Sequence, residues 1–203
     1  LNRLTTNYTY FMREPKHFDF LREKILPNIK PEWGRISYQI WCAGCSSGEE
    51  CYTLAMLLQD YKDQGGWLPS FSIVGTDISE QALAVAQKGR YPVRELENIP
   101  ALWQQKYLSM DEAGTSFDIG RAIREKVRFQ RMNLLKPSVG LGQYDLVLCR
   151  NVMIYFNEES RKKLIEKLYR ALKPGGYLFV GHTELLPRNH ELFEYVCPAV
   201  YRK

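Results

Sequence analysis

From Cys42 to Glu50 the chain reads Cys-Ala-Gly-Cys-Ser-Ser-Gly-Glu-Glu, a run of small residues closed by two carboxylates. Small side chains at Ala43, Gly44, Ser46, Ser47 and Gly48 let a ligand approach the backbone closely, and a helix starting just beyond them turns its first amide hydrogens toward that ligand. The pattern departs from the dinucleotide fingerprint G-x-G-x-x-G, because Ser46 stands in the middle of a G-x-S-x-G spacing and Glu49-Glu50 follow at once. Those carboxylates would repel a pyrophosphate, whereas they would stabilise a ligand carrying a sulfonium and an ammonium. G-x-S-x-G also marks the serine-hydrolase elbow, which needs a histidine later in the chain; His182 and His190 supply one by composition, although the acidic flank weighs against it. Cys42 and Cys45 form a C-x-x-C, yet no second such pair and no paired histidines complete four ligands, so small buried side chains rather than a metal are expected.

A further acidic residue, Asp77, follows the apolar run Phe71 to Gly75. At the end of a strand in a parallel α/β sheet such a residue accepts hydrogen bonds from both ribose hydroxyls. Its other possible role, capping the next helix, is better filled by Ser79, with Ile78 and Leu83 placed as a hydrophobic staple.

The elements that must position these residues alternate in type. Phe18, Leu21 and Ile25 repeat at helical spacing, and Pro27 is expected to close that helix. Ile36, Tyr38, Ile40 and Cys42 alternate with polar or aromatic neighbours as a strand, and Cys51, Leu54, Ala55 and Leu58 stripe the helix after the turn. Val127 to Met132 and Leu146 to Cys149 read as strands, Leu164, Ile165, Leu168, Ala171 and Leu172 as a helix stopped by Pro174-Gly175-Gly176, and Tyr177 to Gly181 as another strand. Segments around Phe193 to Tyr195 and Ala199 to Tyr201 flank Pro198 as a closing antiparallel element. Residues 89–124 break the alternation, with one short helical pattern from Leu102 to Leu108, and are expected to form a small inserted subdomain occupying 89–131. The whole predicts one α/β domain over 1–203, a doubly wound and mostly parallel sheet whose ligand lies beyond the carboxyl ends of the strands.

A length of 203 residues with 45% hydrophobic content suits one buried core. The net charge of +5 suits an acidic partner but falls short of a nucleic-acid-binding signature. Five cysteines, an odd number not spread as a disulfide framework, point to reduced thiols in the cytoplasm. No apolar run is long enough to span a membrane and no secretion signal opens the chain. Leu1 in place of Met is expected of a fragment or a processed form.

Six segments taken together carry a specific resemblance: Thr5-Thr6-Asn7 with Phe11 to Glu14, Ser46-Ser47-Gly48-Glu49-Glu50, Gly75-Thr76-Asp77-Ile78, Asn133-Leu134-Leu135, Cys149-Arg150-Asn151-Val152-Met153-Ile154-Tyr155-Phe156 and Gly181-His182-Thr183-Glu184. Over almost its whole length the chain resembles the catalytic domain of the bacterial chemotaxis receptor methyltransferases, protein-glutamate O-methyltransferases of the CheR type. The resemblance implies the fold of S-adenosylmethionine-dependent methyltransferases, S-adenosyl-L-methionine as cofactor and S-adenosyl-L-homocysteine as product. It implies glutamates on the cytoplasmic helices of chemoreceptors (methyl-accepting chemotaxis proteins) as methyl acceptors, for a monomeric protein that neither binds nucleic acid nor inserts into the membrane. Cofactor contacts are then expected from Asn7, Thr9, Arg13, Glu49, Asp77, Asn133, Leu134, Arg150 and Asn151, beside Gly44 of the small-residue turn, with Arg13 and Tyr155 working near the transferring methyl group. The family's small N-terminal helical domain is expected to be absent, and the 89–131 insertion occupies the place where some members hold a receptor tail peptide.

Methyl transfer to a glutamate that is already ionised at neutral pH needs no general base, so catalysis should consist of alignment. Arg13 can orient the carboxylate with its planar fork, and Tyr155 can steady it or line the methyl passage. The plainer roles are an ion pair of Arg13 with Glu14 or Glu23, and Tyr155 as a core aromatic. Arg121, Arg124, Lys126, Arg128 and Arg131 read equally as a solvated face or as a surface for an acidic receptor. A module that binds S-adenosylmethionine without turnover is the competing function, disfavoured by the presence of both Arg13 and Tyr155. Methylation of nucleic-acid amino groups would want Asn/Asp-Pro-Pro-aromatic where Arg150-Asn151-Val152-Met153 stands.

Overall fold

Apolar residues on both faces of the central strands force the sheet to be covered on both sides. The computed structural model describes residues 8–137 and 143–203. In chain order its elements are α1 (Pro15–Phe20), β1 (Ser37–Ala43), α2 (Glu49–Asp63), β2 (Ser70–Asp77), α3 (Glu80–Lys88), β3 (Arg90–Pro92), α4 (Ala101–Tyr107), β4 (Leu108–Met110), β5 (Ser116–Ile119), α5 (Arg121–Arg124), β6 (Val127–Arg131), β7 (Tyr144–Cys149), α6 (Glu158–Ala171), β8 (Leu172–Val180), β9 (Glu194–Cys197) and β10 (Val200–Arg202). The large sheet has the order β6-β2-β1-β7-β8-β10-β9; its first five strands run parallel, and β10 and β9 close it antiparallel. The chain leaves β1 toward β2 and β6, then returns to β7 on the other side of β1, so the switch point lies between β1 and β7.

Along β1 the residues Tyr38, Ile40 and Cys42 join a core cluster with α1 and α2, while Trp41 and Ala43 join a second cluster with α6. Trp41, on the opposite face of β1 from Ile40 and Cys42, is fully buried, and its indole N–H donates to Thr76 Oγ1 at 2.9 Å. Helix α2 is buried from Glu49 through Leu58, well beyond the stripe its spacing suggested, because the insertion's α4 and α5 cover the side that the sheet does not.

Three expectations are corrected. Pro27 does not close the first helix: α1 continues as a wide turn over Leu21–Ile25 and a tight one over Leu26–Asn28, with Pro27 inside it. Pro174-Gly175-Gly176 lies within β8, since α6 already ends at Ala171, ahead of the extended backbone that a proline imposes. The β7 pairing slips there from Tyr144↔Leu172 to Leu146↔Tyr177, and Gly175 and Gly176 bond Lys203 instead. The insertion forms its own three-stranded antiparallel sheet, β3-β5-β4, but residues 127–131 return to the large sheet as β6, paired with β2.

Gly48, the N-cap of α2, holds φ +92°, and a Cβ there would lie 2.8 Å from Ala86 Cβ and 3.0 Å from Phe129 Cζ. Left-handed strain and overpacking both oppose a side chain at this position. Gly48→Ala is expected to lower stability by roughly 2–4 kcal/mol in urea unfolding; a loss under about 0.5 kcal/mol, the usual surface range, would mean that the turn has room to adapt.

Candidate functional site

Loops leaving the carboxyl ends of β1, β2, β6 and β7 meet the N-terminal segment around a cleft of about 400 Å³. After β1, the amides of Gly44 and Cys45 both donate to Thr76 O, at 2.8 and 2.9 Å, and the Ser46 amide donates to Asp77 Oδ2 at 2.8 Å. Asp77 Oδ1 accepts the Ser79 amide at 2.9 Å, while Ser79 Oγ caps α3 by accepting from the Ala82 amide at 3.2 Å. Asp77 therefore ties the β1 turn to the end of β2 and leaves the capping to Ser79. Gly44 has no room for a side chain, since a Cβ would lie 2.4 Å from Val152 Cγ2.

Arg150, at the end of β7, has a side chain only 2% exposed. Its Nε donates to Glu50 Oε2 at 2.7 Å and its Nη1 to Arg13 O at 2.8 Å, with His17 Nδ1 3.1 Å from the same nitrogen. His17 Nε2 lies 3.2 Å from Ala199 O. One neutral tautomer satisfies both contacts: Nε2–H donates to the carbonyl and Nδ1 accepts from Arg150. Burial first, and then the Arg150 charge, pull the imidazole down to about 3. Arg13 Nη1 donates to Tyr8 O at 2.7 Å, and its guanidinium lies 6.0 and 5.8 Å from the Tyr8 and Tyr10 rings. Among the described residues it pairs with neither Glu14 nor Glu23. Asn133 Oδ1 accepts the Leu135 amide at 3.0 Å, and Lys167 reaches from α6 to donate to Leu134 O at 2.6 Å and to Lys136 O. Met12, Glu14, Ser46 and Asn151, which line or flank the cleft, all hold left-handed backbone without being glycine. Such conformations cost energy and persist where surrounding packing fixes them.

Of the residues singled out in the sequence, Thr9, Arg13, Gly44, Asp77, Asn133, Leu134, Arg150, Asn151 and Tyr155 line this one cleft. Asn7 lies outside the described residues. Glu49 does not line it: the Ser47 hydroxyl lies 2.8 and 2.7 Å from its two carboxylate oxygens, and Glu49 feels Glu95 of the insertion. Glu50 lines the cleft instead, because one step along a helix turns a side chain by about 100°. The residues missed from sequence are Tyr8, also a lining residue, and His17, whose contact with Arg150 spans 133 positions and leaves no local signal. No histidine is among the lining residues, which removes the serine-hydrolase reading of Ser46. Cys42, Cys45 and Cys51 are buried free thiols, and burial pushes Cys42 up to about 12.

The lining combines two carboxylates, Asp77 and Glu50, with the apolar Ile78, Met132, Leu134 and Leu135. That distribution fits an elongated ligand with a diol, a flat ring and a cationic portion, and its volume falls in the usual range of about 300–1,000 Å³ for small-molecule sites.

A family model described as CheR methyltransferase, SAM binding domain, matches residues 7–201. The chain is 40% identical over 207 residues to the Chemotaxis protein methyltransferase of Borreliella burgdorferi, covering 100% of this chain and 72% of that protein. It is 33% identical over 208 residues to Chemotaxis protein methyltransferase 1 of Pseudomonas aeruginosa, covering 100% of this chain and 76% of that one. Among solved structures, PKMT2 from Rickettsia typhi in complex with AdoHcy shares the fold, with a TM-score of 0.50 at 16% identity over 85% of this chain and 26% of that chain.

Burial lifts Glu49 to about 7, opposed by the Ser47 hydroxyl, whereas an unfolded glutamate titrates near about 4.3. Between these values the folded chain binds more protons than the unfolded one, so this contribution is full below about pH 4 and is lost as pH rises toward about 7. The loss is on the order of 3–4 kcal/mol. Glu49→Gln should match the parent protein at pH 4 and exceed its stability by that amount at pH 8, measured by urea unfolding. Parallel stability profiles for the two proteins would show that Glu49 ionises without penalty.

Proposed function

Since this chain belongs to the CheR methyltransferase family and is an S-adenosylmethionine-dependent methyltransferase, we propose that it methylates glutamate side chains on the cytoplasmic helices of chemoreceptors. The products are glutamate methyl esters and S-adenosyl-L-homocysteine, and the loss of negative charge from the receptor's helical bundle adjusts its signalling. The observation that carries the acceptor assignment is Arg13: a guanidinium held by the Tyr8 carbonyl and two tyrosine rings, with no carboxylate on it among the described residues, lining the same cleft as Asp77, Arg150 and Tyr155. A cation fixed in place without being neutralised suits an incoming carboxylate.

When bound, S-adenosylmethionine supplies a methyl group on a sulfonium, open to in-line displacement by a carboxylate oxygen. Asp77, whose oxygens each take one amide and keep further acceptor capacity, would hold the ribose hydroxyls. Glu50 would face the ammonium, and Ile78, Leu134 and Leu135 would enclose the ring. Asn133 and Asn151 supply amide groups at the cleft wall, Thr9 closes it from the N-terminal segment, and Asn7 precedes that segment. The acceptor glutamate is ionised at neutral pH, so no residue need remove a proton. Arg13 orients the carboxylate, and Tyr155, a half-exposed residue that lines the cleft, steadies it. Full neutralisation would blunt the nucleophile, which makes a partly committed guanidinium the better partner.

No helix among the described residues is long and apolar enough to cross a membrane. The enzyme acts in the cytoplasm as a monomer, on protein rather than nucleic acid. The insertion offers a receptor-facing surface, although two of its neighbouring cations are engaged locally, Arg121 with Glu125 and Arg131 with Glu80.

Incubation with radiolabelled S-adenosylmethionine and a receptor cytoplasmic fragment should yield counts released as methanol by mild alkali and abolished when the receptor glutamates become alanine. Arg13→Ala is expected to lower kcat/KM about 100- to 1,000-fold, and Arg13→Lys, which loses the fork but keeps the charge, about tenfold. Cofactor binding with no alkali-labile label would favour a sensor over an enzyme. By calorimetry, Asp77→Asn should weaken S-adenosylhomocysteine binding at least about tenfold, since the amide sets an N–H against donors.

A further inference from the structure

Gly181-His182-Thr183-Glu184 follows β8, and Glu184 is buried to 1% exposure. Among the described residues no cation pairs with its carboxylate; Arg161 Nη2 donates instead to the backbone carbonyls of Glu184 and Leu185, at 3.0 and 3.3 Å. The carboxylate is held by three backbone amides. Oε2 accepts from Asn151 N at 2.7 Å and Gly181 N at 3.0 Å, and Oε1 accepts from Ile154 N at 3.2 Å. Backbone amides of this kind satisfy a buried carboxylate's acceptor oxygens without a counter-ion.

The donors matter for what they carry. Asn151 sits in left-handed backbone at φ +60°, a strained conformation for a residue with a side chain. Ile154 is the middle of the tight turn Met153–Tyr155, which delivers Tyr155 to the cleft. Gly181 is shaped to the same arrangement: a Cβ there would lie 2.8 Å from Glu184 Oε2, 2.8 Å from Asn151 Oδ1 and 3.0 Å from Asn151 N. Two segments that leave neighbouring parallel strands, β7 and β8, are thus pinned to each other through one side chain.

From this geometry we infer that Glu184 is the positioning residue for methyl transfer, with its two oxygens serving different partners: Oε2 fixes the strained Asn151 on the cofactor side, and Oε1 fixes the turn that presents Tyr155 to the acceptor. The inference rests on the reading of Tyr155 as a neighbour of the methyl acceptor.

The division of labour gives a test that separates positioning from general support. A glutamine can offer its one oxygen to Asn151 N and Gly181 N, but its NH2 then confronts the Ile154 amide; the opposite flip forfeits two bonds and is disfavoured. Glu184→Gln should therefore keep S-adenosylhomocysteine affinity within about threefold while kcat toward a receptor fragment falls roughly 10- to 100-fold. Hydrogen exchange should accelerate at the Ile154 and Tyr155 amides and stay unchanged at Asn151. Unchanged exchange at Ile154 and Tyr155 would overturn the inference, as would a loss of kcat matched by an equal loss of affinity. Should Glu184→Gln fail to fold, Gly181→Ala crowds the Oε2 side, with the opposite split expected: affinity falls and Asn151 exchange rises. Parent protein that binds the cofactor product but never methylates a receptor fragment would sink the glutamate reading and the inference with it, whereas unchanged exchange in a parent that does methylate would sink the inference alone.

Discussion

Arg150 carries its charge on a side chain only 2% exposed, and the site is organised around meeting that demand. A buried guanidinium is stable only when its donors and its charge are both answered, and removing one member of such a pair leaves an uncompensated charge that costs about 3–5 kcal/mol. The Glu50 carboxylate at 2.7 Å and the Glu14 carboxylate at 3.7 Å answer the charge, while the Arg13 carbonyl and His17 Nδ1 answer the donors. Phe18 packs beneath the guanidinium at 5.1 Å. Since these partners belong to the first turn of α2, the segment before α1 and α1 itself, one side chain at the end of β7 fastens three parts of the chain around the cleft.

The same demand fixes the state of His17. An imidazolium has no lone pair to offer Arg150, so the ring must be neutral, and burial together with the adjacent charge keeps it so across the whole range in which an exposed histidine would titrate. Stacking on Phe179 at 4.8 Å and the contact with Ala199 O hold the ring in the orientation that Arg150 needs. A residue with no place in the chemistry thereby decides where Arg13, six positions after Asn7 and four before His17, can stand.

Strained backbone around the cleft is held by packing from outside it. Phe11 is fully buried against Tyr91 and Phe117 of the insertion, at ring distances of 5.0 and 5.9 Å, and it anchors the stretch in which Met12 and Glu14 adopt left-handed backbone. Tyr91 OH donates to Ser47 O at 2.6 Å, next to the left-handed Ser46. The insertion thus braces both the turn after β1 and the N-terminal segment. This is the arrangement expected where alignment of reactants, rather than acid or base chemistry, sets the rate.

By itself the sequence determined the alternation of strands and helices, the parallel sheet with its antiparallel close, the small-residue turn after β1 and the acidic end of β2, because periodicity and turn chemistry are written within a few residues of each other. It also carried, through its motifs, the residues that the fold gathers into one cleft, from Thr9 to Tyr155. Only the tertiary structure decided which of two adjacent carboxylates faces the cleft, since the phase of α2 is set by packing against the sheet and the insertion, and that choice fell on Glu50 rather than Glu49. It decided that residues 127–131 belong to the large sheet, because their partner β2 lies about fifty positions away and edge pairing has no local signature. The same reason hid His17 and the carboxylate of Glu184: a buried polar group is defined by the partners that burial obliges it to find, and those partners are distant in the chain and adjacent only in the fold.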